Sequence, residues 1–186
     1  MIGKDGPEPG RSPDMNPVGK GDALWLVPEE PMFSLLAGRI SWLSREYSTP
    51  RFDPHVTLLS GITGQEQEIR SKFVLLASSL KPIRVELGDI AYLDEYFRCL
   101  FIRVVPSGPI IKAHQAARET FEMRSESAYM PHLSLVYGRL RLETKKKISA
   151  DLSSLSGQAL ELGHLKLYRV SGTPDEWICI ETFDLR

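Results

Sequence analysis

Residues 22–28 (DALWLVP) form a short apolar run closed by proline, which predicts a buried strand. Phe33, Leu36, Ile40, Leu43 and Tyr47 then recur three and four apart, the spacing of one helix face, and Pro50 ends that helix. Residues 54–60 alternate as a strand does until Gly61 and Gly64 break the pattern. Ile69, Phe73, Leu76 and Leu80 give a second helical stripe ahead of Pro82, and 83–93 (IRVELGDIAYL) predicts a further strand. The order then starts again. Residues 96–105 predict a strand, 108–121 a helix with Ile110, Ala117 and Phe121 on one face, and 131–138 a strand. A helix over 142–155 carries Ile148, Leu152 and Leu155, and strands at roughly 160–170 and 176–185 flank the turn SGTPDE.

Each half therefore reads strand, helix, strand, helix, strand. This pattern predicts an α+β fold: two lobes related by a rough twofold, mostly antiparallel sheets, helices on the outer faces and a cleft between. Residues 1–21 are rich in glycine, proline and charge and predict a disordered tail. Residues 22–186 then form a single bilobal domain.

The duplication is plainest in one phrase. Residues 53–61 read DPHVTLLSG and residues 130–138 read MPHLSLVYG. Two of the four histidines in the chain thus follow a proline and precede, by two positions, a hydroxyl residue. Strand residues two apart share a face, so His55 projects with Thr57 and His132 with Ser134. Two imidazoles can divide acid and base work near neutral pH. Two hydroxyls can donate to the non-bridging oxygens of a phosphate. In-line displacement at phosphorus needs a base on one side and an acid on the other, so the set points to hydrolysis or transesterification of a phosphodiester. Which ring activates water stays open; the working assignment is His132 as base and His55 as acid.

Charge and composition narrow the reading further. A formal net charge of −1 argues for a small ligand in a local pocket over a long polyanion. No metal is expected, since neither a cysteine–histidine cluster nor a His-Glu-x-x-His helix occurs, and no cofactor is implied. Cys99 and Cys179 lie in apolar runs and read as buried, reduced thiols. No apolar stretch is long enough to span a bilayer, and the expectation is a soluble monomer of the cytoplasm or nucleus. His114 borders the apolar stripe of its helix, His164 precedes a strand without a partner signal, and RLRLETKKK (139–147) reads as the solvated start of a helix.

PRFDPHVTL and AYMPHLSLVYG resemble the paired motifs of the two-histidine (2H) phosphoesterase superfamily, and more closely its cyclic phosphodiesterases of plants and fungi; LWLVP resembles that family's Trp-x-x-Pro strand. The likeness spans nearly everything after residue 21. It implies a bilobal fold around a water-filled groove, with metal-independent hydrolysis of 2′,3′-cyclic nucleotides to 2′-phosphates. It also implies opening of ADP-ribose 1″,2″-cyclic phosphate, a tRNA-splicing by-product, to ADP-ribose 1″-phosphate. His55 and His132 would be the acid–base pair, Thr57 and Ser134 would hold the phosphate, and Tyr137 would add a third contact. Strict alternation points Tyr137 away from the cleft unless the strand ends near Val136. Trp25 would stack on the base, and Tyr96 or Phe97 would close over it. RNA ends are the alternative substrate, and a nucleotide-binding module without turnover is the alternative class.

Overall fold

The computed structural model describes residues 19–123 and 128–186. Most of the predicted tail, residues 1–18, lies outside them. Residues 19–21 already belong to the sheet: the Gly19 amide donates to the Gly172 carbonyl at 2.9 Å, and the Gly21 carbonyl accepts from Val170 at 3.0 Å.

The strands are β1 (Asp22–Pro28), β2 (Val56–Ile62), β3 (Ile83–Ala91), β4 (Leu100–Val104), β5 (His132–Val136), β6 (Ala159–Arg169) and β7 (Ile178–Asp184). The helices are α1 (Met32–Tyr47), α2 (Glu66–Ser79), α3 (Gly108–Thr120) and α4 (Leu142–Asp151). The elements follow the apolar pattern, with local differences. Tyr96–Arg98 is a 3-10 turn before β4 instead of the strand's beginning, and α4 gives way to a second 3-10 turn at Ser153–Leu155. No helix among the described residues is long and apolar enough to cross a membrane.

The fold is α+β, and every strand pairing is antiparallel. The pairings run β1–β2–β5–β4–β3–β6, and β6 returns to β1, with β7 added on β6. The list is unchanged when β1, β2 and β3 exchange with β4, β5 and β6, which is the predicted twofold written as topology. The third strand of each half crosses over: β3 pairs with β4, and β6 pairs with β1. The helices cross as well, α1 packing on β5 and α3 on β2. Sequence periodicity defines which face of an element is apolar and not which neighbour covers it, so this exchange was invisible in the pattern.

β1 is buried along its whole length because it is covered on both faces. Leu24 and Leu26 enter the main core, which Leu36, Ile40 and Leu43 of α1 and Phe73 of α2 fill from the helix side. Ala23, Trp25 and Val27 face the other way, into a smaller cluster with Tyr168 and Val170. Cys99 is fully buried as expected, whereas Cys179 is exposed. It lies on β7, the edge strand of the sheet among the described residues.

Candidate active site

The two Pro-His phrases meet along the thinnest seam of the sheet. β2 and β5 pair at one position, Val56 with Leu133. Extending that antiparallel register by one residue each way sets His55 opposite Ser134 and Thr57 opposite His132. Residues opposite one another share a face, as do residues two apart. All four side chains therefore gather on one face in a diagonal, twofold arrangement. Leu58 and Leu135 turn the other way and enter the core.

The prolines explain themselves at this level. In both phrases the histidine Nδ1 hydrogen-bonds the carbonyl two residues earlier, across the proline: His55 with Asp53 at 2.7 Å and His132 with Met130 at 2.9 Å. A proline fixes its own φ, so the earlier carbonyl is held against the ring. A carbonyl can only accept, so Nδ1 carries the proton and Nε2 of each ring is left with its lone pair. The two rings are thereby set in the same tautomer.

Around His55 the site is aromatic. Trp25 stacks on His55 with centroids 3.6 Å apart and 6° between planes, and its other face is covered by Tyr168 at 3.7 Å. Both faces of Trp25 are occupied and 3% of its surface is exposed, so in this structure the ring that the sequence suggested as a base platform presents no open face. It is a wall that sets the plane of His55. Tyr137 does come to the site. β5 ends at Val136, and Gly138 follows with φ +146°, its amide bound to the Tyr96 carbonyl at 2.9 Å. Released from alternation, Tyr137 points its hydroxyl at Nε2 of His55, 3.4 Å away, with Ser134 beside it. Ser134 Oγ also donates to the Phe97 carbonyl at 3.2 Å.

Tyr96 is buried in the main core, so it does not form an open face for a base; Phe97 is half-exposed against Tyr137. The aromatic set also holds residues that sequence reasoning missed. Phe52 stacks on Tyr137 at 3.8 Å, and Trp177 lies 5.7–5.9 Å from Trp25, Tyr137 and Phe97. Phe52 sits inside the quoted PRFDPH context, and Trp177 follows the Thr173–Glu176 capping box that stiffens the β6–β7 turn. His164 pairs with Asp184 at the surface, away from this set.

A family model described as "Cyclic phosphodiesterase-like protein" matches residues 20–185. The chain belongs to that family. It is 26% identical over 166 residues to the cyclic phosphodiesterase of Arabidopsis thaliana, covering 87% of this chain and 90% of the relative. It is 24% identical over 207 residues to the 2′,3′-cyclic-nucleotide 3′-phosphodiesterase of Yarrowia lipolytica, covering 84% and 96%. In fold it matches the crystal structure of E. coli LigT complexed with 3′-AMP, with a TM-score of 0.59 at 10% identity, over 90% of this chain and 98% of that one. The architecture is that of the 2H phosphoesterases.

In this cyclic phosphodiesterase-like protein the two rings differ in setting. His55 is 3% exposed and His132 is half-buried. The groove that the resemblance describes as water-filled is thus closed over His55 by Trp25, Phe52 and Tyr137. Burial lowers the His55 pKa from 6.5 to about 3, against the Asp53 hydrogen bond, with His132 and Lys166 adding repulsion. Burial also lowers that of His132, again opposed by its backbone bond and helped by Arg98 and Arg103.

A lowered folded-state pKa means that below pH 6.5 the unfolded chain takes a proton at this position and the folded chain does not. Stability therefore falls as pH drops from about 6.5 towards 3, by up to about 1.4 kcal/mol per pH unit. His55→Gln removes that dependence. Its melting temperature should fall less than the wild type's between pH 7 and pH 5, measured by circular dichroism; parallel curves would contradict the burial of a neutral His55.

Proposed function

We propose that this phosphodiester hydrolase opens 2′,3′-cyclic nucleotides to 2′-phosphates, and ADP-ribose 1″,2″-cyclic phosphate to ADP-ribose 1″-phosphate, by a two-histidine acid–base mechanism. The observation that carries the proposal is the β2–β5 pairing, which gathers two Nδ1-anchored histidines and two hydroxyls on one face. The names of the A. thaliana and Y. lipolytica relatives support the substrate class.

Burial presses hardest on His55, so the first proton taken up by the coupled pair belongs on His132. This reading takes His55 as base and His132 as acid, the opposite of the working assignment. Nε2 of neutral His55 takes a proton from water as the water oxygen bonds to phosphorus. The P–O3′ bond breaks on the opposite side, and protonated His132 gives its Nε2 proton to the departing 3′ oxygen. The product is a 2′-phosphomonoester, with the proton now on His55. Thr57 and Ser134 donate to the non-bridging oxygens as charge gathers there. Tyr137 leaves His55 Nε2 on substrate binding and turns its hydroxyl to the phosphate. Phe97 and Trp177, the half-exposed rings at the rim, flank the nucleoside.

Purified protein in excess EDTA should convert 2′,3′-cyclic AMP to 2′-AMP, identified by phosphorus NMR, and should open ADP-ribose 1″,2″-cyclic phosphate in a parallel assay. A 3′-AMP product would reverse the ester assignment, and loss of activity in EDTA would contradict a mechanism run by side chains alone.

A further inference from the structure

β2 is supported weakly where it matters most. It meets β5 at a single position, and its ladder to β1 skips a residue: Leu24 pairs with Leu59 and Trp25 with Thr57, which leaves Leu58 as a bulge. A bulge re-aims the side chains beside it and leaves backbone groups in need of other partners. The partners come from the other half of the chain. The Tyr129 hydroxyl donates to the Thr57 carbonyl at 3.0 Å, and Nδ1 of His114 donates to the Leu58 carbonyl at 2.7 Å. The two rings stack, with centroids 3.9 Å apart and 4° between planes. Burial pushes the Tyr129 hydroxyl well above its ordinary pKa, so it remains a donor.

We infer that His114 and Tyr129 act together as a positioning clamp on the β2 bulge that aims the Thr57 hydroxyl into the site. Neither residue touches the reacting phosphate in this arrangement; both act through Thr57, and the inference rests on the function proposed above. His114 stands on α3, and Tyr129 lies three residues before His132 on the approach to β5. The clamp thus ties the phosphate-holding residue of one half to the elements that carry the histidine of the other. A stacked aromatic pair has little rotamer freedom to lose, which suits it to holding two successive carbonyls in fixed directions.

A double-mutant cycle tests this. Tyr129→Phe keeps the ring and the stack and removes one donor. It should lower kcat on 2′,3′-cyclic AMP about five- to tenfold, with KM changed less than about twofold. In a Thr57→Val background the same change should cost nothing further, because the group being aimed is gone. His114→Ala should lower kcat similarly, and His114→Asn, which restores an N–H donor, should recover part of the loss. Multiplicative losses for Tyr129→Phe and Thr57→Val would overturn the clamp, as would a Tyr129→Phe enzyme with wild-type kcat. Inactive wild-type protein would overturn the functional reading instead. The clamp would then be judged by hydrogen exchange: amides of Thr57–Leu59 should quicken in Tyr129→Phe while those of β6 do not, and uniform or absent quickening would reject it.

Discussion

Replacing His132 by alanine is expected to slow hydrolysis of 2′,3′-cyclic AMP by about 10²–10⁴-fold, the usual worth of a positioned general acid or base. His55→Ala should cost a similar factor. The two losses have different causes, and a change of leaving group separates them. A 4-nitrophenyl phosphodiester expels a phenolate that needs no proton, so the His132→Ala enzyme should regain most of its rate on that substrate. The His55→Ala enzyme should not, because activation of water is still missing. The opposite pattern would assign the base to His132. Both rings are anchored through Nδ1, so His→Asn variants, which can keep that backbone bond, are suitable controls for folding. A His132→Ala enzyme with full activity on both substrates would remove the acid–base pair from consideration.

The second large effect should come from the hydroxyls. In the proposed mechanism Thr57→Val and Ser134→Ala each remove a donor to oxygens on which charge gathers, and such a deletion costs about 10²–10³ in kcat. The loss should appear in kcat with little change in KM, since the developing charge and not the ground state is being stabilised. The larger effect is expected for Thr57. Ser134 already donates to the Phe97 carbonyl, and the Tyr137 hydroxyl stands beside it as a partial substitute. A loss confined to KM in both variants would mean that these hydroxyls bind the substrate uniformly and do not assist the bond-breaking step.

The local parts of this design were legible because they obey local rules. The apolar stripe Leu36, Ile40, Leu43 marked α1, and the alternation through His55 and Thr57 marked both the strand and the shared face. The doubled Pro-His phrase marked the candidate site because such a repetition is rare and chemically specific. What stayed hidden depends on contacts between distant segments. Tyr137 reaches His55 only because β5 stops one residue earlier, and strand ends are the least certain part of any pattern. Trp25 has the composition of a base platform, but whether its faces are free depends on His55 and Tyr168, thirty residues away and more. Tyr96 and Phe97 extended an apolar strand pattern and instead form a 3-10 turn that bonds to Gly138. Cys179 shares its apolar context with Cys99 but lies on the edge strand β7, whereas Cys99 closes the 3-10 turn ahead of β4. The unequal burial of the two rings is a further feature that near-identical phrases cannot encode.

The traded third strands have a further meaning. Since β3 completes the layer of β4 and β5, and β6 completes that of β1 and β2, neither half owns a finished interior. An isolated half would expose both an unpaired strand edge and one lone imidazole. Two copies of such a half, swapping the same strand, would regenerate the whole layout with two imidazoles on one face. The covalent link between Ala91 and Leu100 makes that partnership permanent and lets its two members diverge, one sealed and one half-buried.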